Sequence, residues 1–251
     1  MDFFMLTRNK LQIYKSLREK KGREAEDMFL VEGWKSVEEA FNAGFTINTV
    51  VYNSQKIENE ALLSKIQQHG VEVVPVKPRE LEYISDAVTP QGIIAVLPRF
   101  TRRKSIVSIL QQPSSVVVAL DRISDPGNLG TIIRTCDWFG VDAMVIGNNA
   151  VDMYSPKVVR ATMGSLFHLP ILDEVDLNSF IYTCRQAKFT VYSAELANSE
   201  KLSAIKFFKK TLLIIGSESH GVSPEVSAMA DKKIHIPQYG KAESLNAAMA
   251  C

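Results

Sequence analysis

Leu213-Ile-Ile-Gly216-Ser-Glu218-Ser-His-Gly221, followed by Ile234-His-Ile236-Pro237-Gln-Tyr-Gly240-Lys-Ala-Glu-Ser244-Leu245-Asn246, is the stretch whose reading decides the fold. Each half is an apolar run that stops at a glycine-bearing segment, so two strand ends release two loops. Glycine lets a ligand approach the backbone closely, and open α/β sheets bind ligands beyond the carboxyl ends of their strands. The remainder of the chain is therefore read as supporting that crevice or feeding it.

Working outward, Ser115-Val-Val-Val-Ala-Leu120 is a continuous apolar run of the kind buried on both faces of a parallel sheet. It stops at Asp121-Arg122-Ile-Ser-Asp125-Pro126-Gly127-Asn128-Leu-Gly130, whose Pro-Gly-Asn is a turn signal. Ile132, Ile133, Cys136 and Phe139 then mark a helix ended by Gly140. Strands are expected at 141–146, 166–171, 189–193 and 211–215, and helices at 155–164 and 177–188. Repeated β-loop-α units imply a mostly parallel sheet wrapped by helices.

Before this unit, residues 10–20 place Leu11, Ile13, Tyr14 and Leu17 at helical spacing. Phe29-Leu-Val-Glu32-Gly33 then opens an alternation of strands (46–52, 71–76, 92–97) with helices (from Trp34 to the stop at Gly44, 58–69, 78–86). That alternation fits a compact α/β domain of its own. The expected organisation is a first domain over 1–98, a linker over 99–113 and a second domain over 114–251.

The 251 residues are 46% hydrophobic and 23% charged, which suits a soluble globular protein of one large or two ordinary domains. No apolar segment approaches the ~18 residues that span a bilayer, and Met1-Asp-Phe-Phe-Met-Leu lacks the basic lead of a secretory signal. The expectation is a cytoplasmic protein with no membrane partner. Cys136, Cys184 and Cys251 have neither a disulfide framework nor a zinc spacing and read as buried thiols. Net charge is +1, which argues against indiscriminate nucleic-acid binding. Basic residues nonetheless cluster, from Arg8 through Lys10, Lys15, Arg18, Lys20 and Lys21 to Arg23, and again in Arg99-Phe-Thr-Arg102-Arg103-Lys104. Each cluster reads equally as a solvated surface or as a phosphate contact.

Three strand-end loops, 125–130, 216–221 and 238–246, bring Asn128, Arg134, Glu218, Ser244 and Asn246 into one candidate site. His220 and His235 lack metal-ligand spacing, so no metal is expected. Gly216-Ser-Glu218-Ser-His-Gly221 is neither a Walker loop nor a nucleophile elbow, and no GxGxxG follows the first strand. What remains is a glycine-lined, mostly uncharged crevice with one arginine and one carboxylate. It suits an adenine-containing cofactor held by backbone groups, although composition alone does not name one.

Asn128-Leu-Gly-Thr-Ile-Ile-Arg134-Thr, Ile215-Gly216-Ser-Glu218-Ser-His-Gly221-Val, and Ile236 to Gly240 through Ser244-Leu245-Asn246 resemble, in order, three motifs of the SpoU (TrmH) family of the SPOUT superfamily. The first domain, with Glu32-Gly33 after its basic helix, resembles the L30e-like substrate-binding domain of such enzymes. The resemblance implies an α/β fold whose C-terminal parallel sheet, with flanking helices, is tied in a trefoil knot. It implies S-adenosyl-L-methionine as cofactor, held at Gly216, Ile236, Ser244 and Leu245, and a homodimer whose active site borrows residues across the interface. The implied reaction is methylation of a ribose 2′-hydroxyl of RNA, ribosomal RNA ahead of tRNA. Arg134 matches the family's catalytic arginine, with Asn128, Glu218 and Asn246 beside it.

A guanidinium with a pKa above ~12 hardly deprotonates, so Arg134 is expected to clamp a phosphate and orient the 2′-hydroxyl rather than act as a base. Asn128 also reads as a turn residue, Ser244 as a helix cap and Glu218 as a structural partner of Arg134 or of a backbone donor. Arg160 and Lys157 are expected on a solvated or RNA-facing helix. The helix after Asn246 is short up to Cys251 and is expected to lean on knot and dimer contacts. Two rival functions stand beside the first: a non-catalytic RNA- or ribosome-binding protein that keeps the knotted fold, and a small-molecule methyltransferase.

Overall fold

The computed structural model of the chain describes residues 6–100 and 103–251, the side chains of 103–105 excepted. The expectation for Met1 to Met5, and that for Thr101 and Arg102 in the second basic cluster, lie outside the described residues. Contacts divide the chain into two units, one of residues 1–100 with Asp152–His168, the other of Thr101–Val151 with Leu169–Cys251.

The first unit opens with α1 (Arg8–Ser16), capped by the Thr7 side chain, and α2 (Lys20–Glu26). Then come β1 (Met28–Glu32), α3 (Trp34–Asn42), β2 (Thr49–Asn53), α4 (Glu60–Gln68), β3 (Glu72–Val76), α5 (Pro78–Ile84) and β4 (Ile93–Pro98). The four strands form one sheet in the order β1-β4-β2-β3. Only β2 and β3 run parallel; β4 pairs antiparallel with both β1 and β2. Leu17, Leu30, Val51, Val74, Ile84, Ile94 and Val96 share one apolar core, so the helical and strand periods read from the sequence meet on a single face.

The second unit continues with α6 (Arg103–Gln111), β5 (Ser115–Asp121), α7 (Pro126–Trp138) and β6 (Ala143–Gly147). After α8 (Pro156–Thr162), which packs with the first unit, it resumes at β7 (Ile171–Val175), α9 (Leu177–Gln186), β8 (Thr190–Ala194), β9 (Glu200–Lys201) and β10 (Lys210–Gly216). It closes with α10 (Pro224–Ser227), β11 (Lys232–His235) and α11 (Ala247–Ala250). Seven strands lie in the order β7-β6-β5-β10-β8-β11-β9, every ladder parallel. From β5 the chain steps outward to β6 and β7, whereas from β10 it steps the other way to β11. The order therefore reverses between β5 and β10, where a parallel sheet opens a crevice at its carboxyl ends. Asp121 and Gly216, the last residues of those strands, stand opposite each other in the ladder.

Three differences from the sequence reading have physical causes. The stretch 99–113 carries α6, because Ile106 and Leu110 bury themselves in the second unit's core with Val117, Val145 and Leu212. Residues 166–171 do not form one strand. Ser165–Phe167 is a 3-10 turn entered at Gly164 (φ 100°), and β7 begins only at Ile171, after Pro170. A short apolar run marks burial, and Phe167 meets that demand by packing its ring 5.1 Å from that of Phe45. Finally, Asp152–His168, though inside the stretch expected as the second domain, packs with the first unit. Asp152 accepts two bonds from the buried Arg23 (Nε 2.8 Å, Nη2 2.5 Å), whose Nη1 donates to the carbonyls of Leu17 and Arg18. Tyr154 stacks against Phe29 at 4.8 Å and hydrogen-bonds the backbone of Phe100.

Candidate functional site

At the carboxyl end of β5, Asp125 caps α7 by accepting the Asn128 backbone N–H at 2.8 Å, with Pro126 in the first turn. This fixes Asn128 at the mouth of the crevice. Its side-chain amide then works as a hub. Nδ2 donates to the Glu218 carboxylate, and Oδ1 accepts from Asn246 Nδ2 at 2.9 Å. Asn246 Oδ1 in turn accepts the Ala248 N–H at 2.9 Å, capping α11. One chain of hydrogen bonds thus joins residues from all three sequence motifs, with every amide oxygen accepting and every amide nitrogen donating.

Beyond β10 the chain closes on itself. Gly221 N–H donates to the Ser217 carbonyl at 2.8 Å, and the His220 N–H reaches Ser217 Oγ at 3.2 Å. A Cβ placed on Gly216 would lie 2.1 Å from the Gly221 carbonyl carbon and 2.2 Å from the Val222 nitrogen. Only glycine fits there, and the reason is this tight return of the loop. Glu218 is carried at its crest.

The third loop leaves β11 at Ile236 and reaches α11 at Asn246. Gln238 braces it, donating from Nε2 to the carbonyls of Gly240 (3.1 Å) and Ala242 (2.6 Å). Ile236 and Leu245 remain 37% and 52% exposed, apolar side chains free to cover a ligand. Ser244 is also exposed, and the helix cap belongs to Asn246 instead.

Arg134 lies on the exposed face of α7 and has no hydrogen-bond or ion-pair partner among the described residues. The pairing of Glu218 with Arg134 weighed above is replaced by Glu218 with Asn128. Trp138 and Phe139, at the end of the same helix, are 84% and 75% exposed. Sequence reasoning missed Asp121, a buried carboxylate that accepts the Ser223 N–H at 2.6 Å. The signal for it was an acid directly ending an apolar strand.

In the first unit, Glu32 is buried and takes the Ser85 hydroxyl at 2.8 Å; burial foremost raises its pKa, against that hydrogen bond and the nearby Arg160 charge. Arg160 donates to Asp86 at 2.9 Å, so it serves this unit's packing. The N-terminal basic cluster divides in the same way. Arg23 is buried, Lys10 is paired with Glu72, and Lys15 lies 4.2 Å over the Tyr83 ring, while Arg8 and Lys21 are exposed without ion pairs among the described residues. Among those residues no group of three or more His, Cys, Asp or Glu side chains is placed to hold a metal, and no helix is long and apolar enough to cross a membrane.

Residues 115–251 match the SpoU rRNA Methylase family, and residues 8–95 match the MRM3-like substrate binding domain. The 23S rRNA (guanosine(2553)-2′-O)-methyltransferase RlmP of Bacillus subtilis is 31% identical over 246 residues, covering 96% of this chain and 92% of its own. An AdoMet-bound rRNA methyltransferase from Sinorhizobium meliloti superposes with a TM-score of 0.86 at 34% identity, over 98% of this chain and 92% of that one. The SpoU methyltransferase AviRb of Streptomyces viridochromogenes, in complex with AdoMet, gives 0.83 at 25% identity, over 97% and 94%.

Proposed function

The chain belongs to the SpoU rRNA methylase family, and from that premise we propose that it transfers a methyl group from S-adenosylmethionine to a ribose 2′-hydroxyl of RNA, with ribosomal RNA as the substrate. The observation that carries this reading is the hydrogen-bonded chain from Glu218 through Asn128 to Asn246, which assembles the three motifs at the sheet's switch point.

S-adenosylmethionine supplies an electrophilic sulfonium methyl. The residues present fit such a ligand: a backbone-lined loop beyond Gly216, the exposed apolar side chains of Ile236 and Leu245, and the exposed Ser244. These four residues would hold it. Asn128, Glu218 and Asn246 keep the three loops in one arrangement, so that positioning supplies much of the acceleration. Arg134, exposed and unpartnered among the described residues, would hold an RNA phosphate and orient the acceptor hydroxyl through its planar fork of donors.

Two further features belong to this reading. A homodimer would cover Trp138 and Phe139 and give Arg134 a neighbour across the interface. A trefoil knot is supported by β10 lying between β5 and β8, and by the return of the C-terminal segment onto α7, where Asn246 bonds Asn128 and Cys251 Sγ comes within 3.8 Å of Cys136 Sγ. The first unit would bind the RNA through Arg8, Lys15 and Lys21, and the protein would work in the cytoplasm.

The test is transfer of labelled methyl from the cofactor to purified rRNA and tRNA, followed by nuclease digestion to nucleosides. The expected product is a 2′-O-methylated nucleoside from rRNA. RNA binding that weakens with salt, without any transfer, would establish the non-catalytic alternative instead.

A further inference from the structure

Asp121 ends β5 with its backbone opposite Gly216, and its side chain is 6% exposed. Its Oδ2 accepts the Ser223 N–H at 2.6 Å, a short bond. The residue therefore holds both ends of one loop. Its backbone pairs with the strand end where the loop starts, and its carboxylate holds the residue where the loop finishes. Between these points the chain bridges Ser217 to Gly221 and lays the Gly221 and Val222 backbone against Gly216. Glu218, carried on that loop, reaches Asn128. The neighbouring Arg122, at φ 59°, brings its Nε within 3.5 Å of Asp121 Oδ1 and so adds positive charge beside the carboxylate.

We propose that Asp121 is a positioning residue for methyl transfer. By fixing Ser223 it sets the height of the Glu218 loop against α7, and thereby the geometry of the Glu218, Asn128 and Asn246 chain and of the backbone offered to the cofactor. The inference rests on the functional reading above.

The experiment measures S-adenosylmethionine affinity by calorimetry and methyl transfer at saturating cofactor for wild type, Asp121→Ala, Asp121→Asn, Asn128→Ala and the double variant that combines Asp121→Ala with Asn128→Ala. Asp121→Ala is expected to weaken cofactor affinity and transfer by on the order of 10-fold, as leaving a buried N–H without its acceptor does. Asp121→Asn keeps an acceptor for the Ser223 N–H and is expected to stay within about 3-fold of wild type. In the Asn128→Ala background the Asp121→Ala loss should shrink to about 2-fold, because the two residues act on one network. Equal impairment of the Ala and Asn variants, or losses that multiply fully in the double variant, would overturn the inference, as would wild-type affinity in Asp121→Ala. A wild-type protein without affinity for the cofactor would instead remove the functional reading, and this inference with it.

Discussion

Asn246 donates its side-chain amide to Asn128 Oδ1 at 2.9 Å, across 118 residues of sequence. The same Asn246 caps α11 through its Oδ1, so its two polar atoms do separable jobs. Asn246→Asp keeps the cap acceptor and loses the donor. It is expected to lower methyl transfer at least ~10-fold while the fold stays intact, the cost of leaving Asn128 Oδ1 facing an anion. Asn246→Ala should lose the cap as well, at about 1 kcal/mol. Transfer rates and melting curves on the two variants separate these effects; full activity in Asn246→Asp would show the link to be idle.

Arg134 stands exposed without a partner among the described residues, which suits a group waiting for substrate. Arg134→Lys preserves the charge and loses the planar fork of donors. RNA affinity should remain within about 3-fold, while single-turnover transfer falls by roughly 100-fold or more, since the loss is of orientation. Equal turnover in the lysine variant would remove the orienting role.

Arg23 and Asp152 form a pair with side chains only 4% and 14% exposed. Asp152→Ala leaves a buried guanidinium with its carbonyl partners alone, and the first unit should lose about 3–5 kcal/mol of stability. Urea unfolding followed by a probe in that unit measures it. A loss below about 1 kcal/mol would mean that the tyrosine and phenylalanine contacts hold 152–168 unaided.

The Glu72 carboxyl is held below its usual range, first by the Lys10 hydrogen bond. A depressed folded-state pKa gives stability that is present above the unfolded value and lost as pH falls through the folded one. Both side chains are more than a third exposed, so the contribution is under about 1 kcal/mol. Lys10→Ala should therefore cost little at pH 7, and less as pH drops below the carboxylate range. A cost that grows on acidification would contradict the assignment.

The Cys184 thiol is buried and pushed up to about 12 by that burial. Cys251 is only half-buried, and the hydrogen bond from Cys136 lowers its pKa. At pH 8 an alkylating reagent should reach Cys251 first and leave Cys184 untouched until the protein unfolds. Mass spectrometry of the labelled folded protein reports the order directly.

How much of this was legible in the sequence follows from the range of the interactions. The parallel sheet could be read because strands such as Ser115–Asp121 are continuous apolar runs, and the loops because glycine and proline punctuate them. The three motifs named the residues of the site. Their pairing could not be read: Glu218 lies 90 residues from Asn128, and nothing local distinguishes that partner from Arg134. The same holds for Arg23, 129 residues from Asp152, whose ion pair draws Asp152–His168 into the first unit. Asp121 escaped notice because a carboxylate after an apolar run also reads as an ordinary strand end; its meaning lies in the Ser223 N–H, 102 residues away.

The most direct measurement is a map of ribose 2′-O-methyl sites in total RNA from cells with and without the gene, the deletion complemented by wild type or by Asn128→Ala. The account predicts that a 2′-O-methyl mark in ribosomal RNA disappears on deletion, returns with wild type and fails to return with the variant. An unchanged map, or a lost mark that sits on a base rather than a ribose, would contradict it.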